Sequence, residues 1–433
     1  NIYLEKIKKQ KTGFIFFYLG IFLLPSAFFI ASVSLFIASI YGCIYKKENY
    51  FSDKWNKLLF ISGCIMIINS ILQKFFFENN FEGIWDPNLT LIGLGNWLPL
   101  FWIFWTLQPY LEGEKNRKAT ALILISGSFP VLFTGFAGLF FKWDGGPYET
   151  LNGLITWYLD GSYGPVFRGL FSNPNYAGSW LTYLWPFSMA ICLDQNSKKL
   201  NRFISFLLLI CIAFGIILTN SRNAWGSLLI SIPLVLSTQS LLWIIPFYLI
   251  LGAIIFISVS NFFQGELQNL IRSIIPQKIW LEFSEKGFSN LDATRLEIFL
   301  SALKISLLRP IFGIGAASFS AIYFFQTGFW KGHSHNLFIE LAISYGFPVA
   351  ILIICTIIVL IIRSFRTIFI LNSVTNEVNY FERAWWTSAF CFLISQLFDI
   401  QYFDGKISVL FWILLAGIKN LHYEKKENFF QKN

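Results

Sequence analysis

Two of the chain's three histidines, His333 and His335, stand in the stretch KGHSHNLFIELAISYGFPVA (331–350), where a long apolar run begins. An imidazole at a water interface exchanges protons near neutral pH, so it can act as a general base or hold a hydroxyl in place. Arginine supplies the complementary property, a permanent charge on a fork that grips phosphate in a fixed geometry. Three of the arginines in segments between apolar runs stand out: Arg168 before GLFSNPNYAG, Arg222 in LTNSRNAWGS and Arg295 in LDATRLEIFL. Within NPN, Asn173 is a good helix cap and Pro174 suits the first helical position, so the helix beyond would offer free amides and a positive dipole end to an anion. Each feature also has a plainer reading. Interfacial arginines snorkel to headgroups, NPN is a well-built helix start, and a histidine can simply mark an interface. Whether these residues can meet depends on the elements that carry them.

Those elements are membrane helices. Of 433 residues, 55% are hydrophobic and only 13% charged, about half the charged fraction of a soluble protein, and the mean hydropathy is +0.58. Continuous apolar runs of about 17–25 residues, the length that crosses a bilayer as helix, recur from end to end. Twelve spans can be drawn, approximately 13–26, 27–45, 57–74, 95–111, 119–141, 175–193, 203–221, 224–238, 241–260, 336–362, 384–402 and 406–421. Pro25 makes 13–45 a hairpin rather than one long helix. The fold class is therefore all-α, a polytopic membrane bundle of about twelve transmembrane helices in one integral membrane domain, 1–433. The first apolar run reads as a retained anchor. The six cysteines lie inside apolar runs and imply no disulfide framework.

Charge sets the orientation. With the N-terminus in the cytoplasm, the inside segments and their rims hold 21 of the 33 Lys and Arg, the asymmetry expected of cytoplasmic loops facing anionic lipid. The net charge of +9 is spread in short clusters between spans, which points to membrane lipids and away from nucleic acid. Loops 142–174 and 261–335 then face outward with Arg168, Arg222, Arg295, His333 and His335. The longer loop contains an amphipathic helix, with Asp292 as its expected cap and Leu296, Phe299, Leu300 and Leu303 at helical spacing. It would lie along the outer membrane face or cap the bundle. In the span that begins near Asn336, Ala342, Gly346 and Ala350 form a small-xxx-small ridge for close helix packing.

At this point the residues match a family pattern. HSHNLFIELAISYGFPV resembles the signature of the O-antigen ligases and related O-antigen polymerases: His335-Asn336, nine residues, then Gly346, with Val349 departing from the usual Gly, Thr or Tyr. FSNPNYAGSW resembles the family's Asn-Pro-Asn helix start, TNSRNAW its short outward loop with an essential arginine, and TRLEIFLSALKISLLRPIFGIGAASF its loop helix with a second arginine. The resemblance implies glycosyl transfer from an undecaprenyl-diphosphate-linked glycan to a hydroxyl on a lipid A-core, a glycan or a protein, in the inner membrane with both termini cytoplasmic and the site periplasmic. In this reading His335, Arg222 and Arg295 are catalytic, and Arg168, Asn173, Asn175, Asn336 and His333 bind substrate. Arginine charge would meet the diphosphate leaving group as the sugar–phosphate bond breaks, and direct attack would invert the anomeric centre. The sequence has no Asp-x-Asp pair, so no metal and no cofactor are expected.

The ligase reading is preferred, with O-antigen polymerase and protein O-oligosaccharyltransferase as alternatives that share the donor site and differ in acceptor. An anion (inorganic carbon) transporter is the rival of another class. It predicts ionisable groups near mid-membrane and broken helices there, whereas the candidates gather at one face and the spans carry few charges, among them Glu340 and Asp399 near outer ends.

Overall fold

A computed structural model of the protein describes residues 2–46, 49–76, 84–143, 148–157, 166–236, 240–263, 265–275, 277–282, 294–370 and 379–432. These are helical almost throughout, and the protein is an all-α polytopic membrane protein. Seven described helical segments are long and apolar enough to cross a bilayer: Phe28–Tyr45, Lys54–Phe75, Leu89–Thr106, Gly113–Phe141, Lys199–Leu218, Leu242–Val259 and Phe347–Ile370. The shorter Lys11–Leu23 turns at Pro25 into Phe28–Tyr45, with Ala27 N–H donating to Leu23 O (2.8 Å), which is the predicted hairpin. Pro174–Leu193, Arg222–Leu236, Tyr380–Ser395 and Gly405–Lys432 occupy the remaining expected positions as shorter or less apolar helices. Loop 142–174 contributes a small antiparallel pair, Tyr148–Thr150 with Ile155–Trp157, anchored where Trp157 Nε1 donates to Ser26 O (2.8 Å).

Apolarity tracks lipid exposure, not centrality. Leu242–Val259 is apolar on every side and buries almost none of its surface against the rest of the chain. Pro174–Leu193 carries Ser179, Thr182 and Ser188 yet is buried without interruption from Ala177 to Ile191. Tyr380–Ser395 likewise buries Glu382, Arg383, Thr387 and Ser388. A helix surrounded by protein can satisfy polar side chains; one surrounded by lipid cannot. The two inner helices lock together where Tyr183 stacks on Phe392 (5.2 Å between centroids) and the Ser388 hydroxyl donates to Tyr183 O (3.0 Å).

The expected continuous span 336–362 is corrected. It is two helices, Leu337–Tyr345 and Phe347–Phe365, interrupted at Gly346 with φ +89°. Gly346 is therefore not one rung of a helical ridge. Its missing side chain admits the backbone of Ile311, and the loop docks on the break with Phe347 N–H donating to Pro310 O (2.8 Å) and Ile314 N–H to Ile343 O (2.6 Å). A helix end leaves carbonyls without partners, and here a neighbouring helix supplies them. Asn69 Nδ2 donates to Tyr345 O (2.7 Å), while Gln73 Nε2 donates to Ser344 O (2.9 Å) and Phe312 O (2.6 Å). Asn69→Ala strands a buried carbonyl and is expected to lower stability by about 1–3 kcal/mol, read as a lower thermal unfolding midpoint in detergent.

In loop 261–335 the predicted amphipathic helix is Arg295–Ser306. The expected cap Asp292 lies outside the described residues; the cap is Thr294, in a reciprocal box with Glu297 (Glu297 N–H to Thr294 Oγ1 3.2 Å, Thr294 N–H to Glu297 Oε2 2.7 Å). Leu296, Phe299, Leu300 and Leu303 remain exposed, and the opposite face packs: Ile298, Ala302 and Ile305 join Phe319, Ile322, Ile339 and Ile343 in a small core of their own. The helix thus carries two apolar faces, one against protein and one left open.

Candidate functional site

The candidate residues gather at one end of the bundle. The other end is closed by Lys118–Asp194 (2.8 Å) and Arg117–Glu424 (2.9 Å) ion pairs.

Asn173 caps Pro174–Leu193, its side chain accepting Asn175 N–H (2.7 Å), as the NPN pattern predicts. That cap fixes the first turn, from which Asn175 Nδ2 donates to Asp399 Oδ2 (3.0 Å). Asn336 caps Leu337–Tyr345 by accepting Ile339 N–H (3.1 Å) and uses its amide to donate to Leu397 O (3.2 Å). One asparagine thus starts a helix and ties it to the turn that carries Asp399. The same turn is held from inside by Gln396, whose Oε1 accepts the N–H groups of Gln401 and Tyr402 (3.1 Å each). Tyr402 in turn stacks on Trp97 (4.3 Å) and accepts Trp412 Nε1–H (2.8 Å).

The motif His333–Ser334–His335 meets that turn. Ser334 N–H donates to Oε2 of the buried Glu340 (2.9 Å), and the Ser334 hydroxyl donates to Asn336 O (3.1 Å). These bonds hold His335 in the left-handed region, φ +56°, a strained setting for a residue with a Cβ and one that clusters at functional sites. The turn swings the His335 ring onto Asp399, with Nδ1 2.7 Å from Oδ1. His333 Nε2 lies 3.8 Å from the same oxygen, and the two imidazoles meet edge to face with centroids 4.5 Å apart.

Electrostatics fix the proton positions. Burial works against a charged Asp399, but the His335 hydrogen bond and the electrostatic influence of His333, His335 and Arg295 outweigh it, so the carboxyl sits below the ordinary range. An ionised carboxylate only accepts. The hydrogen-bond network therefore assigns the His335 proton to Nδ1 and leaves a lone pair on Nε2 in the neutral ring. Burial, against the pull of Asp399 and reinforced by His335 and Arg295, lowers His333 to about 4, so it is neutral near pH 7. Its Nδ1 accepts His335 N–H (3.2 Å), which places its own proton on Nε2. The ring edges of both histidines remain partly open, at 21% and 26% exposure, while Asp399 is buried at 5%.

The predicted arginines enter differently. Arg295, the first residue of its helix, is felt electrostatically at both His333 and Asp399. Arg222 opens Arg222–Leu236, and its neighbour Asn223 donates to Ser395 O (3.0 Å), four residues before Asp399. The nearly buried Arg168 follows Phe167, whose N–H donates to Leu218 O (2.9 Å), beside the turn that leads to Arg222. Lys406 holds that segment too, donating to Leu170 O (2.8 Å) over the Phe171 ring. Contacts thus join His335, His333, Asn175 and Asp399 into one cluster, and the backbone brings Arg222 and Arg168 to the same end.

Asp399 and Glu340 were legible only as stray acids in apolar runs, although an ionisable residue there is a functional candidate by default. The two histidines and Asp399 offer three ligand atoms within 4.8 Å of one another, the group among the described residues with the chemistry to hold a metal ion.

Residues 207–354, which include Arg222, Arg295 and His335, match the model of a family described as O-antigen ligase. The chain is similar to that family over this segment, about a third of its length. A ComP-specific O-oligosaccharyltransferase of Acinetobacter baylyi is 27% identical over 191 residues, 41% of this chain and 32% of the relative. The chain therefore matches about a third of that relative's length.

Proposed function

We propose that this protein belongs to the O-antigen ligase family and transfers a glycan from undecaprenyl diphosphate to a hydroxyl acceptor, with inversion and without a catalytic metal. The observation that carries the proposal is the His335–Asp399 pair. Asp399 takes the Nδ1 proton and Asn175 steadies the other carboxylate oxygen, so His335 Nε2 is the atom that accepts the hydroxyl proton as oxygen attacks the anomeric carbon. The sugar–phosphate bond breaks on the opposite side, and Arg222 and Arg295, with Arg168 as a third, take up the charge on the departing diphosphate. Asn173, Asn336 and His333 support this set by fixing the helix starts and the second imidazole.

The lysine and arginine asymmetry of the loops supports an inner-membrane setting with cytoplasmic termini and a periplasmic site. A lipid A-core acceptor follows the ligase reading. A protein hydroxyl is the second reading, favoured by the name of the Acinetobacter baylyi relative. Clustering of the candidate site groups at one end weighs against an anion transporter, which needs ionisable groups near mid-membrane, although the helix break at Gly346 is a feature such a carrier would share.

The test is a reconstituted assay with the full chain in vesicles, a polyprenyl-diphosphate-linked glycan and separate lipid-core and protein acceptors. Transfer is expected to one acceptor class and to persist in EDTA. Loss of transfer in EDTA that Mg²⁺ restores would overturn the metal-free chemistry. Anion flux without donor, and no transfer, would replace the enzyme reading with transport.

A further inference from the structure

We propose that His333, His335 and Asp399 form a binding site for a transition-metal dication of the zinc class, and that the bound ion switches the transfer site off. The switching half rests on the function proposed above; the binding half does not.

The geometry is close to a three-ligand site. Ligand atoms sharing one zinc ion at about 2.0–2.2 Å stand roughly 3.0–3.5 Å apart. Here His335 Nδ1 is 2.7 Å and His333 Nε2 3.8 Å from Asp399 Oδ1, with all three ligand atoms within 4.8 Å of one another, so one contact opens, the other closes by a few tenths of an ångström, and the two rings swing toward each other. The left-handed turn at His335 brings both rings of the His-x-His motif to one carboxylate, where Asn175 holds the other oxygen and Oδ1, which also accepts Ile400 N–H (3.1 Å), faces the rings and would hold the ion. Two imidazoles and one carboxylate suit zinc, copper or nickel, not magnesium or calcium, which prefer all-oxygen shells. Two features oppose binding and set an upper limit on affinity. Arg295 contributes positive charge nearby, and His333 must move its proton to Nδ1, giving up the His335 N–H bond of 3.2 Å.

The consequence for His335 follows from imidazole chemistry. A neutral ring has one N–H and one lone pair. Without metal, Asp399 holds the proton at Nδ1 and Nε2 is free to accept another. A metal ion at Nδ1 displaces that proton, and the neutral ring carries its N–H at Nε2, where the base is needed. Occupancy and proton acceptance are mutually exclusive on one side chain.

The test uses the tag-free full chain in detergent, stripped with chelator, titrated with Zn²⁺ by calorimetry and with Co²⁺ by visible absorption. One saturable site is expected, with intense Co²⁺ bands of low coordination number and no response to Mg²⁺. His333→Ala and Asp399→Asn are each expected to weaken binding about tenfold or more, with helix content checked by circular dichroism. Absence of saturable binding, or unchanged affinity in folded His333→Ala, overturns the site. In the vesicle assay Zn²⁺ should stop transfer at the concentration that fills the site, and EDTA should restore it. Transfer that continues with the site full overturns the switch. If no transfer occurs under any condition, the functional proposal fails while the titration still decides the site.

Discussion

Replacing His335 with alanine is expected to abolish glycan transfer, and replacing Asp399 with asparagine to lower it by about 10²–10⁴-fold. The two losses have different origins. Alanine removes the group proposed to accept the hydroxyl proton. Asparagine keeps the shape of Asp399 but replaces one acceptor oxygen with an N–H₂ donor, while two donors, His335 Nδ1–H and Asn175 Nδ2, compete for the one oxygen left. If the amide nitrogen faces His335, the ring must accept at Nδ1 and carry its proton at Nε2, which is the wrong tautomer for the base. If it faces Asn175, two donors abut at 3.0 Å and the inner helix shifts. The measurement is single-turnover transfer in vesicles at saturating donor, with donor affinity measured separately. Wild-type turnover by His335→Ala would remove the imidazole from the mechanism. A fall for Asp399→Asn that appears only in donor affinity would reassign the carboxylate to binding.

Gly346→Ala is expected to destabilise the protein by about 3 kcal/mol or more. Backbone angles of φ +89° and ψ 158° fall where essentially only glycine is comfortable. An added methyl would also overlap the carbonyl of Ile311, which is backbone and fixed by the docked loop. Gly328 is the control. It too has positive φ, +76°, but nothing lies within 4 Å of the place a Cβ would take, so Gly328→Ala carries only the conformational cost of about 1 kcal/mol. Thermal unfolding of both variants in detergent separates the contributions, and equal midpoints would show that the Ile311 contact yields freely.

The sequence exposed local features well. NPN announced a capped helix, Pro25 a hairpin, and the arginines and histidines between apolar runs the end of the bundle where the candidate site lies. Long-range partners left no such trace. Asp399 is 64 residues from His335, and one acid near the end of an apolar run looks the same whether it faces solvent or an imidazole. Gly346 illustrates a different ambiguity. Ala342, Gly346 and Ala350 have the spacing of a packing ridge, and only the backbone reveals that the middle position is a break through which another segment passes. The loop helix was ambiguous for a third reason: both of its faces are apolar, so periodicity alone could not say which one packs.

The burial of polar helices in the centre has a consequence for how the chain is made. Pro174–Leu193 is a weak stop signal for an insertion machinery that reads greasiness one segment at a time, and its partner, Tyr380–Ser395, emerges about two hundred residues later, as the 205-residue separation of Ser388 and Tyr183 records. For that interval the ribosome has delivered half of a buried interface into lipid. The neighbouring Lys199–Leu218, among the greasiest segments and next off the ribosome, is the escort that can hold it there until the bundle closes.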